Sequence, residues 1–386
     1  MEEYTSPVFL LKELIRFPSV TPRDGGAISF LENVSEALGF TVERPIFRDP
    51  STEAIENFYA KCGNTGPSLM FAGHIDVVPP GDEEWTYPAF SGEIVKGFLY
   101  GRGAVDMKGG LACFLAAVAR QRSTLKKGRI SLLISGDEEG LAINGTVKLL
   151  RWAEEKGEAW DAALLGEPTC KDSIGDTIKV GRRGSLSGVL RINGRQGHVA
   201  YPDLAYNPIP VLITFLRELL DKPFDEGTKH FKATNLEIIN MDSFNKTTNL
   251  IPYRAEACFN IRFNDLWSSE QLMIEIENRL SRAAKVAFFS DYSLSWLPNP
   301  ADVFITYNND EILLKLSNAI FEVIGKKPRM STAGGTSDAR FIKDYCPVVE
   351  FGLVGKTMHR TNECVDLNDL ETLTAIYQNF IRRFFE

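Results

Sequence analysis

Three short apolar runs constrain this chain more than any other feature, because each stops abruptly in a polar loop. They are "SLMFAGHIDVV" (68–78), "RISLLISGDEEG" (129–140) and "DAALLGEP" (161–168). A nearly continuous apolar run of four to eight residues reads as a strand buried on both faces. Helical patterns lie between them, "GGLACFLAAVARQ" and "INGTVKLLRWAEEKG". Alternation of such strands with helices predicts an α/β fold, a mostly parallel mixed sheet covered by helices. Ligands of these sheets sit at the carboxyl ends of the strands. His74, Glu138 and Glu167 are all predicted to fall there.

The texture changes near Arg183. "SLSGVLRINGRQG" reads as a strand, "NPIPVLITFLRELLD" as a helix, and "TNLEIINMDSF" and "AEACFNIRF" as strands. The helix "SSEQLMIEIENRLSRAAK" and the strand "DYSLSWL" follow. Strand–helix–strand–strand–helix–strand is the order of a ferredoxin-like α+β layer. The first texture then returns, so residues 183–297 are predicted to be a domain inserted into one built from 1–182 and 298–386. A length of 386 residues suits two cores better than one.

Composition excludes several classes. A net charge of −8 without a basic block argues against nucleic acid as a partner. No run of about 18 apolar residues is present and the chain starts on acids, which predicts neither a membrane partner nor a secretory leader, hence a cytoplasmic protein. The six cysteines, 62, 113, 170, 258, 346 and 364, form no CxxC pair, so neither a disulfide framework nor a thiolate zinc site is expected.

Seven residues follow apolar runs in turn-rich segments. They are His74 and Asp76 in "GHIDVVP", Asp106 in "GRGAVDMKGG", Glu138 and Glu139 in "SGDEEG", Glu167 in "GEPT" and His359 in "GLVGKTMHRTNE". Singly, each is more often a cap, a turn or a solvated face. "GRGAVD" also starts like a dinucleotide loop, but Asp106 occupies the place of the last glycine. Together, two histidines and several carboxylates are the ligand chemistry of zinc or a similar divalent ion. In an extended strand end, residues i and i+2 point the same way, so His74 and Asp76 can face one site. The Asp76 carboxylate is then expected to accept a hydrogen bond from the non-coordinating nitrogen of His74. Of the adjacent Glu138 and Glu139, one can bind metal while the other remains free to move protons.

Taken in order, "GHIDVVPPGDEEW", "GRGAVDMKGG", "SGDEEG", "GEPT", "RRGSLSG", "GRQGHVAYP", "GGTSDARF" and "VEFGLVGKTMHRTNE" resemble the dizinc aminoacylase and carboxypeptidase family over essentially the whole chain. The resemblance implies two divalent ions, zinc first with cobalt as the alternative. His74, Asp106 and Glu167 would hold one ion and Asp106, Glu139 and His359 the other, with Asp106 bridging. It also implies Glu138 as general acid/base, Asp76 as orienter of His74, and a cis peptide after Asp106. His198 in "QGHVAYP" would serve as oxyanion donor, reaching the site of a partner subunit in a homodimer built through the inserted domain. His230 matches nothing and is expected on the surface.

Two such ions about 3.5–4 Å apart polarise an amide carbonyl and acidify a water, so an amidohydrolase of N-acyl amino acids is expected. Within the family the segments are most similar to the branch that removes succinate from N-succinyl-LL-2,6-diaminopimelate. Acetylornithine deacetylase, a general aminoacylase or a dipeptidase is the alternative, and a catalytically inactive dimeric binding module is the reading from another class. Carboxylates of the substrate call for arginine forks and backbone donors. Arg182, Arg183 and Arg262 are the candidates, and the resemblance favours Arg262. Gly334, Gly335 and Thr336, at an expected helix start, offer a carboxylate seat. Asn249 and Tyr201 occupy substrate-contact positions by resemblance.

Overall fold

The computed structural model describes residues 2–121, 128–298, 300–306 and 311–386. They divide into two compact units: Met1–Gly181 with Ile305–Ser331 and Ser337–Glu386, and Arg182–Phe304 with Thr332–Thr336. The first unit is built on an eight-stranded sheet. Its four central strands, Arg129–Ser135, Ser68–His74, Ala162–Leu165 and Val348–Glu350, are mutually parallel, as the near-continuous apolar runs predict. Antiparallel pairings flank this block on both sides: Phe58–Cys62 beside Arg129–Ser135, and Thr177–Lys179 beside Val348–Glu350. Every residue of Ser68–His74 and of Ala162–Leu165 is buried. Among the described residues no helix is long and apolar enough to cross a membrane.

The second unit has the expected ferredoxin-like order. Its strands lie as Asn235–Asp242, Arg254–Phe263, Gly184–Asn193 and Tyr292–Trp296, each antiparallel to its neighbour. Burial alternates along the two central strands. Leu186, Leu190, Phe259, Ile261 and Phe263 pack with residues of the helices Pro208–Leu220 and Ser269–Ala287. Ser185, Ser187, Asn260 and Arg262 alternate with them and share the other face. The helix Ser269–Ala287 starts in a capping box. Ser268 accepts from the Gln271 amide, and the Gln271 side chain accepts from the Ser268 amide.

The helix Lys108–Arg120 connects the first unit's core to its polar loops. It is buried from Lys108 through Val118, with Phe114 stacked on Phe71 of the central strand at 4.1 Å between centroids. Burying each of these rings stabilises the fold by about 1.5–3 kcal/mol. At the start of this helix two glycines permit close approach. A Cβ on Gly109 would stand 2.3 Å from the Ala104 carbonyl oxygen, and one on Gly110 2.3 Å from that of Gly166. Gly166 precedes Glu167 and Ala104 precedes Asp106 by two, so this packing sets two polar loops against one helix end. Gly110→Ala should therefore lower the unfolding free energy by about 1–3 kcal/mol through overpacking against backbone. Urea unfolding measures this, and an unchanged midpoint and slope would show that the contact relaxes freely.

Candidate metal centre

His74 is the last residue of its strand, and its ring orientation follows from one hydrogen bond. Nδ1 lies 2.9 Å from the backbone carbonyl oxygen of Asp76. A carbonyl only accepts, so Nδ1 carries a proton, and Nε2 is the nitrogen left to coordinate a cation once the ring is neutral. Nε2 lies 3.3 Å from Asp106 Oδ1 and 3.7 Å from Glu167 Oε1. His74 is almost entirely buried, at 1 % exposure, so this nitrogen is aimed into a closed, carboxylate-lined space.

Asp106 turns its other oxygen the opposite way. Oδ2 is 3.2 Å from His359 Nε2, which is also 2.8 Å from Glu139 Oε1. One carboxylate thus faces two imidazoles on separate elements. Ligand atoms of His74, Asp106 and Glu167 lie within 4.8 Å of one another, and so do those of Asp106, Glu139 and His359. The Asp106–Met107 peptide is cis. His359 has a left-handed backbone, φ 59°, an uncommon conformation for a residue other than glycine and one found where surrounding structure enforces it.

The structure corrects the expected role of the Asp76 carboxylate. Its Oδ1 lies 3.7 Å from His74 Nδ1, while the backbone oxygen of the same residue takes the bond. The carboxylate is engaged elsewhere: Oδ1 and Oδ2 accept from the amides of Glu138 and Glu139 at 3.3 and 3.0 Å, and Thr21 donates to Oδ2 at 2.7 Å. Asp76 therefore orients His74 through its main chain and holds the Glu138–Glu139 turn with its side chain. Buried Asp137 braces the same loop further on, accepting from the amides of Leu141, Ile143 and Asn144. Its place in "SGDEEG" is the only sequence signal for it.

Electrostatically the cluster has an excess of negative charge. Burial opposes the charge on His74, but the bond to Asp106 and the fields of Glu167, Glu138 and Asp76 outweigh it and hold its pKa well above 6.5. His359 is raised to about 10 by its bonds to Asp106 and Glu139. Burial lifts Asp76 to about 6, against the opposing pull of His74 and Thr21. Burial also lifts Glu138 well above the usual carboxyl range; His74 opposes this, and Glu167, Asp338 and Glu139 reinforce it. Burial would raise Asp106 too, yet its hydrogen bonds to the two histidines hold it below its ordinary value. Five carboxylates gathered around two imidazoles need further positive charge, since buried charge is costly unless paired. The donors are imidazole nitrogen and carboxylate oxygen, and among the described residues no cysteine joins the cluster. Zinc and similar divalent ions suit that donor set.

The remaining sequence-predicted residues belong to the second unit. His198, Tyr201 and Asn249 come together there: the His198 and Tyr201 rings are 5.7 Å apart and Val199 N donates to the Asn249 carbonyl. All three are exposed, as is His230. The amide of Ala200 donates to His198 Nδ1 at 3.1 Å, which leaves Nε2–H as the free donor of the neutral ring. Arg262 stands in register opposite Ser185 and Asn235. Arg183 donates to Asn235 Oδ1 and Arg182 to the Gly335 carbonyl, so both guanidinium groups hold their own chain. The helix expected at Gly334–Thr336 begins instead at Ala339 and runs only to Ile342. Gly335 and Thr336 thus lie in a loop ahead of a single helical turn, and a helix-end carboxylate seat is not formed there. Asp338 follows them, buried and accepting from Thr146 Oγ1.

Residues 70–383 match peptidase family M20/M25/M40, and the chain belongs to that family of hydrolases acting on peptide or amide bonds. Solved structures of the same fold include human carnosine dipeptidase 1, at 19% identity and TM-score 0.78 over 98% of this chain and 96% of that one. A Staphylococcus aureus tripeptidase aligns at 18% identity and TM-score 0.80 over 99% and 98% of the two chains. The YXEP protein of Bacillus subtilis, described as a dinuclear metal-binding peptidase from the M20 family, aligns at 17% identity and TM-score 0.70 over 100% and 98%.

The raised histidine pKa values give the metal-free protein a pH signature. A histidine whose folded pKa exceeds its unfolded value contributes stability fully below about pH 6.5, and the contribution fades as pH rises towards the folded pKa. For His359 that loss runs from about 6.5 up to about 10. Chelator-treated protein should melt at progressively lower temperature across that window, and His359→Asn should flatten part of the slope. A melting temperature that does not change over the window would contradict the arrangement.

Proposed function

We propose that this protein is a dimetal amidohydrolase that cleaves N-succinyl-LL-2,6-diaminopimelate to succinate and LL-2,6-diaminopimelate, on the route to lysine and peptidoglycan precursors. The observation that carries the hydrolytic reading is Asp106, whose two oxygens face His74 and His359 while Glu138 stands among the same charges. His74, Asp106 and Glu167 would hold one divalent ion, and Asp106, Glu139 and His359 a second, zinc in the first instance and cobalt as the alternative. Such an ion pair supplies polarisation of the scissile carbonyl and acidification of a water.

The chain's own groups do the rest. Glu138 lies beside the ligand Glu139, and its elevated pKa suits a group that takes a proton from water and returns it to the departing amine. The Nε2–H of His198 is an exposed donor of the kind an oxyanion needs. It would act across a homodimer formed through the second unit. Supporting that assembly, the edge strand Asn235–Asp242 leaves Ile239 and Met241 exposed. An uncovered apolar edge invites pairing. Six free cysteines accord with a reducing, cytoplasmic compartment.

The succinyl-diaminopimelate assignment rests on the likeness of "GGTSDARF" and "VEFGLVGKTMHRTNE" to that branch of the family, with Arg262 as the carboxylate fork and Asn249 and Tyr201 as further contacts. The test is a comparison of hydrolysis rates by the zinc-loaded enzyme. Succinate should be released rapidly from N-succinyl-LL-diaminopimelate, and N-acetylornithine and simple dipeptides should be poor substrates. Preference for either of the latter would overturn the substrate while keeping the reaction class. Glu138→Gln should bind two ions normally and lose about 100- to 10,000-fold in kcat. Unchanged turnover would remove Glu138 from proton transfer.

A further inference from the structure

Four residues after His359 the same segment ends in an acid, Glu363, whose hydrogen bonds go to neither histidine. Glu363 is completely buried. Its Oε2 accepts from Arg102 Nη1 at 2.8 Å and from the Gly103 amide at 2.9 Å. Its Oε1 accepts from the amides of Val105 and Asp106 at 2.9 and 3.3 Å, and its own carbonyl accepts from Gly101 N at 2.9 Å. Its carboxylate thus holds residues 102, 103, 105 and 106 and its carbonyl holds Gly101, in a loop whose last residue is the carboxylate shared between the two histidines. The Arg102 fork spreads the hold: it donates to the Arg360 and Pro79 carbonyls, both at 3.3 Å, and lies over the Trp85 ring. Two more bonds tie the "PPGDEEW" segment to the same place, Thr361 Oγ1 to Glu83 and Thr86 N to Asn362 Oδ1. His359 and Asn362 both have positive φ, so this tight turn depends on outside support.

We propose that Glu363 is the positioning residue that joins the bridging Asp106 to His359, so that the second metal position forms only while this carboxylate holds the two loops together. The inference rests on the dimetal reading above. It predicts an asymmetry between the two positions. His74 and Glu167 stand at the ends of the central parallel strands, and Glu363's bonds go to the 101–106 loop. Loss of the clamp therefore leaves the first position two of its three ligands in place. The second position keeps only Glu139.

The experiment is zinc titration of chelator-stripped protein against a competing chromophoric chelator, for wild type, Glu363→Gln and Glu363→Asp, with folding followed by circular dichroism. The Gln variant removes the charge facing Arg102. The Asp variant keeps that charge but draws its oxygens back from the amides of Val105 and Asp106. Wild type should take up two ions. Each folded variant should bind the weaker ion about 10- to 100-fold less well, the range for losing a group that orients metal ligands, and lose clearly less at the tighter one, which keeps two of its three ligands. Both affinities unchanged, or both weakened alike, would overturn the proposal. So would failure of both variants to fold, because Glu363 would then be a determinant of the fold rather than of the second position. Wild-type protein that takes up fewer than two ions would overturn the dimetal reading and this inference with it.

Discussion

Asp106 lies between two imidazoles, and the first unit's polar architecture is arranged so that it can. Its neighbours come from four separate places in the chain: the end of one central strand, the turn after a second, the turn after a third, and the loop ahead of the last helix. A parallel sheet makes this convergence possible, since all its strands deliver their following loops to one edge. Close glycine packing sets the Asp106 and Glu167 loops against the helix, and buried polar bonds fix the Glu138–Glu139 and Asp106 loops further. The Asp76 carboxylate holds the Glu138–Glu139 turn, Asp137 braces the chain beyond it, and Glu363 holds the Asp106 loop.

The supporting bonds also explain which chemistry is available. Because the Asp76 carbonyl can only accept, His74 is fixed as the tautomer whose Nε2 can coordinate a cation. Because Glu138 is buried, and sits among like charges, it keeps a proton more readily than an exposed acid and can serve as both acceptor and donor. The two are linked, since Glu138 raises the His74 pKa while His74 opposes the rise at Glu138.

The four central parallel strands with their polar endings, and the ferredoxin-like order of the second unit, were legible in the sequence, because burial on both faces and period-two alternation leave direct traces in "SLMFAGH" and "AEACFNIRF"; the flanking strands Thr41–Glu43, Phe58–Cys62, Thr177–Lys179 and Arg329–Ser331 were not. The apolar runs picked out seven polar residues, and the set His74, Asp106, Glu139, Glu167 and His359 was singled out among them by the family resemblance. Three further features were not legible. The choice between the Asp76 carbonyl and its carboxylate depends on where the Glu138 and Glu139 amides point, which no spacing rule contains. The roles of Asp137 and Glu363 depend on backbone donors, and a backbone amide has no letter in the sequence. The turn at Gly335–Thr336 looked like a helix start because its residues suit one; the helix starts later and makes only one turn.

The central claim is that Asp106 is shared between two metal positions. The measurement that addresses it most directly is anomalous X-ray diffraction from zinc-loaded crystals, recorded on both sides of the zinc absorption edge. Two peaks are predicted, one bounded by His74, Asp106 and Glu167 and the other by Asp106, Glu139 and His359, with one Asp106 oxygen on each. A single peak, or two peaks of which only one contacts Asp106, would contradict the account.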